Sequence, residues 1–457
     1  RGSVSTGPYQ IDNSLKIEAD NAERMQRASE SIGTPTSTQK ATISLWVKRT
    51  ELKSSGNHFC WLGNAGAVSS FIGFNDDCLR WISDVSNAGV LKSNAVFRDT
   101  SAWYHIVFAF DTTQSTASNR IKAYVNGVQI TSWSTETYPN QNNVIGIYET
   151  NMSHYIGWED ASQQSGYFAE IYLIDGQQLA PTEFGESDED TGIWKPKAYS
   201  GTFGNEGYHL DFENSSSLGA DVSGNSNNFA NLYNIAAIDQ ATDTPTNSFC
   251  VINAINLSTQ TLTEGATKIV STDNTSRTSF GTMAVSKGKW WWEGKIQVYD
   301  SNTTYPCIGV TGDLDNPPAT SAQLFGSNHV IKLAKNQKWV TNDTGTSYGT
   351  TYSDNDIINI GLDMDNHIMY TYKNGTIDDA SGINFSSQSA ATSDDFYIPI
   401  NLVYVTGGGS SWEMNFGGFA NYTISSGASD SNGHGTFEYA PPSGYFAICT
   451  KNLAEFG

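Results

Sequence analysis

Chemistry in this chain would come from its aromatic rings and its acids. Trp158-Glu159-Asp160 sets an indole beside two carboxylates. That combination holds a sugar: the ring stacks on the apolar face of the pyranose, and carboxylates accept its hydroxyls. Trp81, Trp133, Tyr138 and Trp339 are further aromatics expected at loops or strand ends, and with Trp158, Glu159 and Asp160 they form the candidate ligand-binding set. Asp313-Leu-Asp315-Asn316 and Asp363-Met-Asp365-Asn366 carry closely spaced oxygens, and calcium is the ion such oxygens suit. Neither continues as an EF-hand loop, and turn shaping is the competing role for Asp363 and Asp365. No other cofactor is expected. Nucleophilic catalysis finds no support, because the G-x-S-x-G elbow is missing. Gly407-Gly-Gly409 lacks the Lys-Ser/Thr of a phosphate-binding loop and reads as a loop between two strands. No catalytic residue is assigned.

These side chains must be positioned by strands, since almost nothing reads as helix. Apolar residues alternate or come in short runs, and Gly, Asn, Asp and Ser interrupt them every ten residues or so, the pattern of all-β sandwiches. Strands are expected at Ile43–Val47, Trp103–Phe110, Arg120–Val125 and Gly166–Ile174, with a tight hairpin turn at Asn126-Gly127. The Pro-, Gly- and acid-rich stretch Pro181–Gly207 breaks the regularity, and the domain boundary is expected between about 200 and 265. Further strands are expected at Trp290–Tyr299, Cys307–Val310, Ile357–Leu362, Ile368–Tyr372, Tyr397–Val405 and Ser411–Phe416, with turns at Asp365-Asn366 and Lys373-Asn374-Gly375.

The run Trp290-Trp291-Trp292 can be sorted by the two faces of a strand. Trp290, Trp292, Gly294, Ile296 and Val298 share an apolar face and belong to a core. Trp291 shares the other with Glu293, Lys295 and Gln297, where it either packs under a loop, the favoured reading, or stacks on a sugar.

With 457 residues the chain holds two or three domains, and aromatics at 12% can build large cores. The formal net charge of -22 argues against nucleic acid and anionic membranes as partners, because no basic stripe is seen to displace counterions from phosphate. No apolar run approaches the roughly 18 residues of a membrane span, and the opening residues do not read as a signal peptide. None of Cys60, Cys78, Cys250, Cys307 and Cys449 forms a CxxC pair, so buried free thiols are expected, with a Cys60–Cys78 bridge as the alternative.

The second half resembles a SPRY domain. The resemblance rests on GKWWWEGKI (288–296), CIGVTG (307–312), INIGLDMDNHIMYTYKNG (358–375) and WEMNFG (412–417), and covers residues 265–420. It implies a bent antiparallel β-sandwich that binds through variable loops and has no catalytic residues. The tail PPSGYFAICTKNL (441–453) resembles the C-terminal extension seen after SPRY domains in phage proteins. The first half resembles a laminin-G-like, concanavalin A-like sandwich, through ATISLWVKR (41–49) and AWYHIVFAFD…RIKAYVNGVQI (102–130). The stretch from Gly166 to Phe212, followed by DVSGN (221–225) and DTPTN (243–247), resembles the version found in tailed-phage virion proteins.

Some concanavalin-type sandwiches are glucanases, whose two acids lie about 5–5.5 Å apart for retention, typically as E-x-D-x-x-E on one strand. The nearest candidate, Glu186-Ser-Asp188-Glu189-Asp190-Thr191, ends in threonine, lies between two glycines and reads as a loop. The reading is therefore all-β with two antiparallel β-sandwich domains, a concanavalin-like jelly roll and then a SPRY-like sandwich. Residues 1–200 form the first, 201–264 a connecting segment, 265–420 the second, and 421–457 a C-terminal extension packing on the SPRY-like domain. The expected role is that of a non-catalytic phage virion protein, surface-exposed on a tail fibre, tail appendage or capsid decoration. Its expected partners are host cell-surface glycans, other virion proteins and further copies of itself. A cementing subunit without glycan binding and a polysaccharide depolymerase are the alternatives.

Overall fold

The computed structural model describes residues 9–457 apart from 53–55, 67–68, 84–88, 150, 159–163, 256, 258–259, 272–276, 299–305, 314–327, 341–344, 389, 391–394 and 404–409. Alternating apolar and polar positions bury one face of each strand, so the strands pair into sheets whose apolar faces must be covered. The fold is all-β, with a single α-helix, Thr450–Phe456, among the described residues. The chain forms two compact units, residues 5–246 and residues 247–457.

The strands of the first unit are β1 (Ser14–Ile17), β2 (Arg24–Arg27), β3 (Lys40–Arg49), β4 (Asn57–Asn64), β5 (Ser69–Asn75), β6 (Cys78–Ser83), β7 (Gly89–Val96), β8 (Trp103–Asp111), β9 (Ile121–Val125), β10 (Val128–Gln129), β11 (Trp133–Thr137), β12 (Ser153–Gly157), β13 (Gly166–Asp175), β14 (Gly185–Ser187), β15 (Trp194–Pro196), β16 (Tyr208–Leu210), β17 (Asn231–Tyr233) and β18 (Gln240–Ala241). One antiparallel sheet runs β10-β9-β8-β3-β13-β1-β18, with β16 on β13; the other runs β11-β7-β6-β5-β4-β12-β2-β17. Between them the first sheet buries Leu15, Ile43, Leu45, Ile106, Phe108 and Phe168, and the second buries Met25, Trp61, Ile72, Trp81, Leu91 and Ile156. Asn126 and Gly127, at φ 47° and 79°, form the expected two-residue hairpin turn.

The first sheet is covered on its outer face too. Lys16, Tyr167, Lys48 and Trp103 stand in one row across β1, β13, β3 and β8. Residues 236–246, which add β18 to the edge of the sheet, deliver two acids to this row. Asp243 meets Lys48 Nζ at 2.6 Å and accepts from Trp103 Nε1 at 2.9 Å, while Asp239 meets Lys16 Nζ at 2.8 Å. Further along, the irregular stretch 181–207 contributes the β14–β15 ribbon and packs Phe184, Tyr199 and Phe203 on Tyr172. Thus strands β16, β17 and β18, drawn from the stretch expected to connect the domains, pair with β13, β2 and β1 of this unit.

All five cysteines are free. Cys60 and Cys78 sit on β4 and β6 with β5 between them, so the alternative of a bridge does not form.

Two histidines of this unit are fully buried, and burial lowers their pKa values from 6.5 to about 3 for His105 and about 4 for His154. The unfolded imidazoles take up protons that the folded ones refuse, so stability is lost as pH falls below 6.5. Acidifying by one pH unit from there is expected to cost roughly 1 kcal/mol per histidine. Hydrogen exchange mapped by unit would show the loss in residues 5–246, and His154→Gln should remove its share.

The second unit contains β19 (Thr261–Thr263), β20 (Lys268–Ser271), β21 (Arg277–Phe280), β22 (Lys289–Val298), β23 (Cys307–Thr311), β24 (His329–Leu333), β25 (Gln337–Val340), β26 (Thr346–Ser347), β27 (Ile357–Asp363), β28 (Ile368–Lys373), β29 (Thr376–Ile377), β30 (Ile383–Asn384), β31 (Ile398–Val403), β32 (Ser410–Asn415) and β33 (Phe446–Ala447). Its sheets run β19-β20-β32-β22-β27-β28-β29, with β30 on β28 and β33 on β22, and β21-β31-β23-β24-β25-β26. Trp290, Trp292 and Ile296 enter the core, as the alternation requires. Trp291 faces the other way and is equally buried, packed with Phe249, Phe437, Tyr445, Ala447 and Cys449. The three tryptophans are therefore structural, the middle one because residues 437–449 close over it.

Glu293, two positions on from Trp291, fastens the same cover. Its carboxylate accepts from the backbone N–H of Glu438 (3.0 Å) and Tyr439 (2.8 Å), from Asn359 (3.0 Å) and Asn415 (3.2 Å), and from the Tyr422 hydroxyl (3.1 Å).

Candidate functional site

The outer face of the second sheet of the first unit is the surface best furnished for a ligand. On β2 the core position Met25 lies between Arg24 and Gln26, so those two side chains point outward. Across the sheet Gln26 pairs with Tyr155, and Tyr155 with Leu62. On the other side of β2, Asn231 and Tyr233 of β17 lie opposite Gln26 and Arg24.

These residues are fixed by one another. Gln26 Nε2 donates to the Tyr155 hydroxyl at 2.8 Å, and its Oε1 accepts from the Tyr233 hydroxyl at 3.0 Å and from Asn231 Nδ2 at 3.3 Å. The Arg24 guanidinium lies 4.0 Å from the centre of the Tyr233 ring. Strand β12 ends at Gly157, whose φ of 79° suits glycine. The next residue, Trp158, meets Tyr155 edge to face with ring centres 4.8 Å apart. Two half-buried aromatic rings, an exposed tyrosine, two amides and a guanidinium thus share one end of the face.

The centre of the face is apolar. The row from Tyr155 continues through Leu62, Phe71, Ile82 and Val90. Phe59 packs on Phe71 at 4.6 Å, and the Arg80 guanidinium lies 5.7 Å from the Phe71 ring centre. At the far end Arg80 donates to Asn57 Oδ1 at 2.5 Å, and Lys92 pairs with Asp76 at 2.6 Å, a hydrogen bond that holds the Asp76 carboxyl below its ordinary range. A 240 Å³ cavity opens on the same unit between the segment after β2 and the segment before β12, lined by residues including Pro35, Tyr148 and Glu149.

The residues singled out from the sequence fall in different places. Trp158 is on this face, while Glu159 and Asp160 lie outside the described residues. Trp81 is corrected: it is 3% exposed and belongs to the core, its ring 6.0 Å from Phe110, because its strand turns that position toward the opposing sheet. Trp133 and Tyr138 are half-buried and pack against that core from the sheet edge, and the Tyr138 hydroxyl donates to Glu136 at 3.0 Å. Trp339 is in the second unit, against the cluster of Ile331 and Ile400. Arg24, Gln26, Tyr155 and Tyr233 were not foreseen, and no local pattern marks them.

The acids have other work. Asp363 pairs with Lys289 at 2.8 Å and accepts from the backbone and side chain of Asn366, interactions that lower its pKa against the effect of burial. Asp365 accepts from Gly288 N at 2.8 Å. These bonds tie the hairpin to the start of β22. Asp313 follows β23, and Asp315 lies outside the described residues. Among the described residues no three His, Cys, Asp or Glu side chains gather as a metal site would. Asp188 Oδ1 accepts from the backbone of Asp190 and Thr191 and from the Thr191 hydroxyl, so this acidic stretch builds a turn. Ser44 and His105 stand 2.8 Å apart, as a nucleophile and base would, yet both are fully buried. Trp194 Nε1 donates to His105 Nδ1 at 2.9 Å, so the proton sits on Nε2 and is donated to Ser44. The imidazole therefore cannot take the serine's proton.

Residues 25–172 match the family model described as the concanavalin A-like lectin/glucanases superfamily. The first unit is concanavalin-like over that stretch. The matched segment begins on β2 and ends on β13, so it includes Gln26, Tyr155 and Trp158. Solved structures with similarity to the chain include the SPRY domain of human HERC1 (14% identity, 34% of this chain and 92% of that one, TM-score 0.28). They also include the native heptameric SAP-like pentraxin from Limulus polyphemus (12%, 37% and 78%, TM-score 0.27). A third is domain 4 of AbnA, a GH43 extracellular arabinanase from Geobacillus stearothermophilus, in complex with arabinotriose (18%, 33% and 66%, TM-score 0.25). No curated protein matches the chain.

Proposed function

We propose that this chain is a non-catalytic, glycan-binding virion protein that attaches a phage particle to its host. The observation that carries the binding reading is the outer face of the second sheet, where Trp158 and Tyr155 present ring surface beside Gln26, Asn231 and Arg24. Such a face stacks on a sugar ring and hydrogen-bonds its hydroxyls. The family match over residues 25–172, whose description includes lectins, supports the same reading. The virion role rests on the order of the two resemblances, concanavalin-like and then SPRY-like, in one chain. Many copies on a particle would multiply weak single-site binding, so each face need only hold a sugar briefly.

A glycan array with the purified chain tests this directly. Binding to a defined subset of glycans is expected. Trp158→Ala should weaken it by about tenfold or more, the scale of an aromatic hot spot. Tyr155→Phe should have a smaller effect, since the ring stays while the contact with Gln26 is lost. An array without signal, or unchanged binding by Trp158→Ala, would sink the assignment of this face. Release of reducing ends from host polysaccharide would favour a depolymerase instead.

A further inference from the structure

The first unit buries a lysine between two acids. Lys16 Nζ is 2.7 Å from Glu23 Oε1 and 2.8 Å from Asp239 Oδ1, and the three side chains are 2%, 3% and 6% exposed. One ammonium cannot neutralise two carboxylates, so these three groups together carry an excess negative charge in a dry site when all are ionised. The two acids are not equivalent. Glu23 is held on both oxygens, Oε2 by Glu18 N at 2.7 Å and Oε1 also by Asn21 Nδ2 at 3.0 Å. Asp239 is held by Ala236 N on Oδ2 at 2.8 Å, and its Oδ1 faces the lysine.

We propose that Lys16 and Asp239 condense into an intramolecular amide bond, with Glu23 as the proton carrier. Glu23 takes a proton from the Lys16 ammonium, and the neutral amine attacks Asp239 Cγ. Negative charge developing on Oδ2 falls on the oxygen that already accepts from the Ala236 N–H. Glu23 passes its proton to Oδ1, then takes a second from the attached nitrogen and delivers it to the same oxygen, which departs as water. The C–N bond forms, the C–Oδ1 bond breaks, and both protons lost by nitrogen leave in one molecule of water with Oδ1. Ammonium and carboxylate become a neutral amide, Glu23 is regenerated, and no oxidant or other reactant is needed. Burial, with Asp239 beside it, holds the Glu23 carboxyl above its ordinary range even with Lys16 near, which suits a group that must hold a proton in transit.

The bond would join β1 to the segment leading into β18, strands that pair at the edge of the first sheet (Ser14 with Ala241, Leu15 with Gln240). It would close nearly the whole first unit into a covalent ring. A particle-mounted adhesin pulled through its ends would then carry load across this bond instead of through the sheet.

Intact mass of the full chain under denaturing conditions is the test. The expected result is a mass one water below that of the sequence, and a branched peptide joining Lys16 and Asp239 after proteolysis. Lys16→Arg should give the full sequence mass. Glu23→Gln should fold, retain Lys16 and Asp239, and show at least about a tenfold slower mass loss, as expected on removing a general acid–base group. A wild-type chain of full sequence mass after refolding and prolonged incubation would overturn the proposal. So would a cross-link at another pair, Lys16 with Glu23 or Lys48 with Asp243, or an undiminished rate in Glu23→Gln.

Discussion

Replacing Asp243 with alanine is expected to destabilise the first unit by about 3–5 kcal/mol, the range for removing one partner of a buried ion pair. The side chains of Lys48 and Asp243 are 0% and 1% exposed, and their 2.6 Å contact pairs opposite charges in a dry site. Trp103 Nε1 loses its acceptor by the same change. Asp243→Asn should be milder, because the amide oxygen can still accept from one of the two donors. Denaturant unfolding followed by hydrogen exchange in residues 5–246 would measure both. A loss below about 1 kcal/mol for the alanine variant would place the pair among ordinary surface contacts and contradict its burial.

Glu293→Ala is expected to have an effect of the same order on the second unit. Five donors, two of them backbone amides, lose their acceptor, and each buried donor left unpaired costs about 1–3 kcal/mol. Part is recovered where water enters the space, so a net loss of about 3–5 kcal/mol is expected. Residues 421–457 should at the same time become accessible to proteolysis, because Glu438 and Tyr439 are attached to the sheet through this carboxylate. Its titration gives a second readout. Burial raises the Glu293 pKa from 4.5 to about 7, against the pull of its donors. The folded state therefore holds the proton more tightly than the unfolded one, and this contribution to stability is full below 4.5 and lost as pH rises through about 7. It amounts to about 3 kcal/mol over that window. The slope is opposite to that of His105 and His154 in the first unit, and it should vanish in Glu293→Ala.

Strand content was readable because alternation is local. Nine residues from Trp290 to Val298 suffice to send Trp290 and Trp292 inward, and Asn126-Gly127 and Asn374-Gly375 mark two-residue turns by their left-handed backbone. Burial on the second face of a strand was not readable in the same way. Trp291 and Glu293 stand among polar neighbours in sequence, yet both are covered by a segment almost 150 positions later. Trp81 misleads for a related reason: periodicity says which residues share a face, not which face meets the other sheet. The candidate face shows the same limit. Trp158 was legible as an indole in a loop. Arg24 and Tyr233 of the same face are brought together by β2 and β17, strands 200 residues apart, and no spacing rule reaches that far.

The row Lys16-Tyr167-Lys48-Trp103, with two of its acids arriving at positions 239 and 243, also dictates where the polypeptide can be cut. A fragment ending at residue 200 would keep both lysines and lose Asp239 and Asp243, and it would expose the free edge of β1 where β18 should pair. Such a piece should express as insoluble, strand-swapped material. A fragment extended through Thr246 should come out soluble.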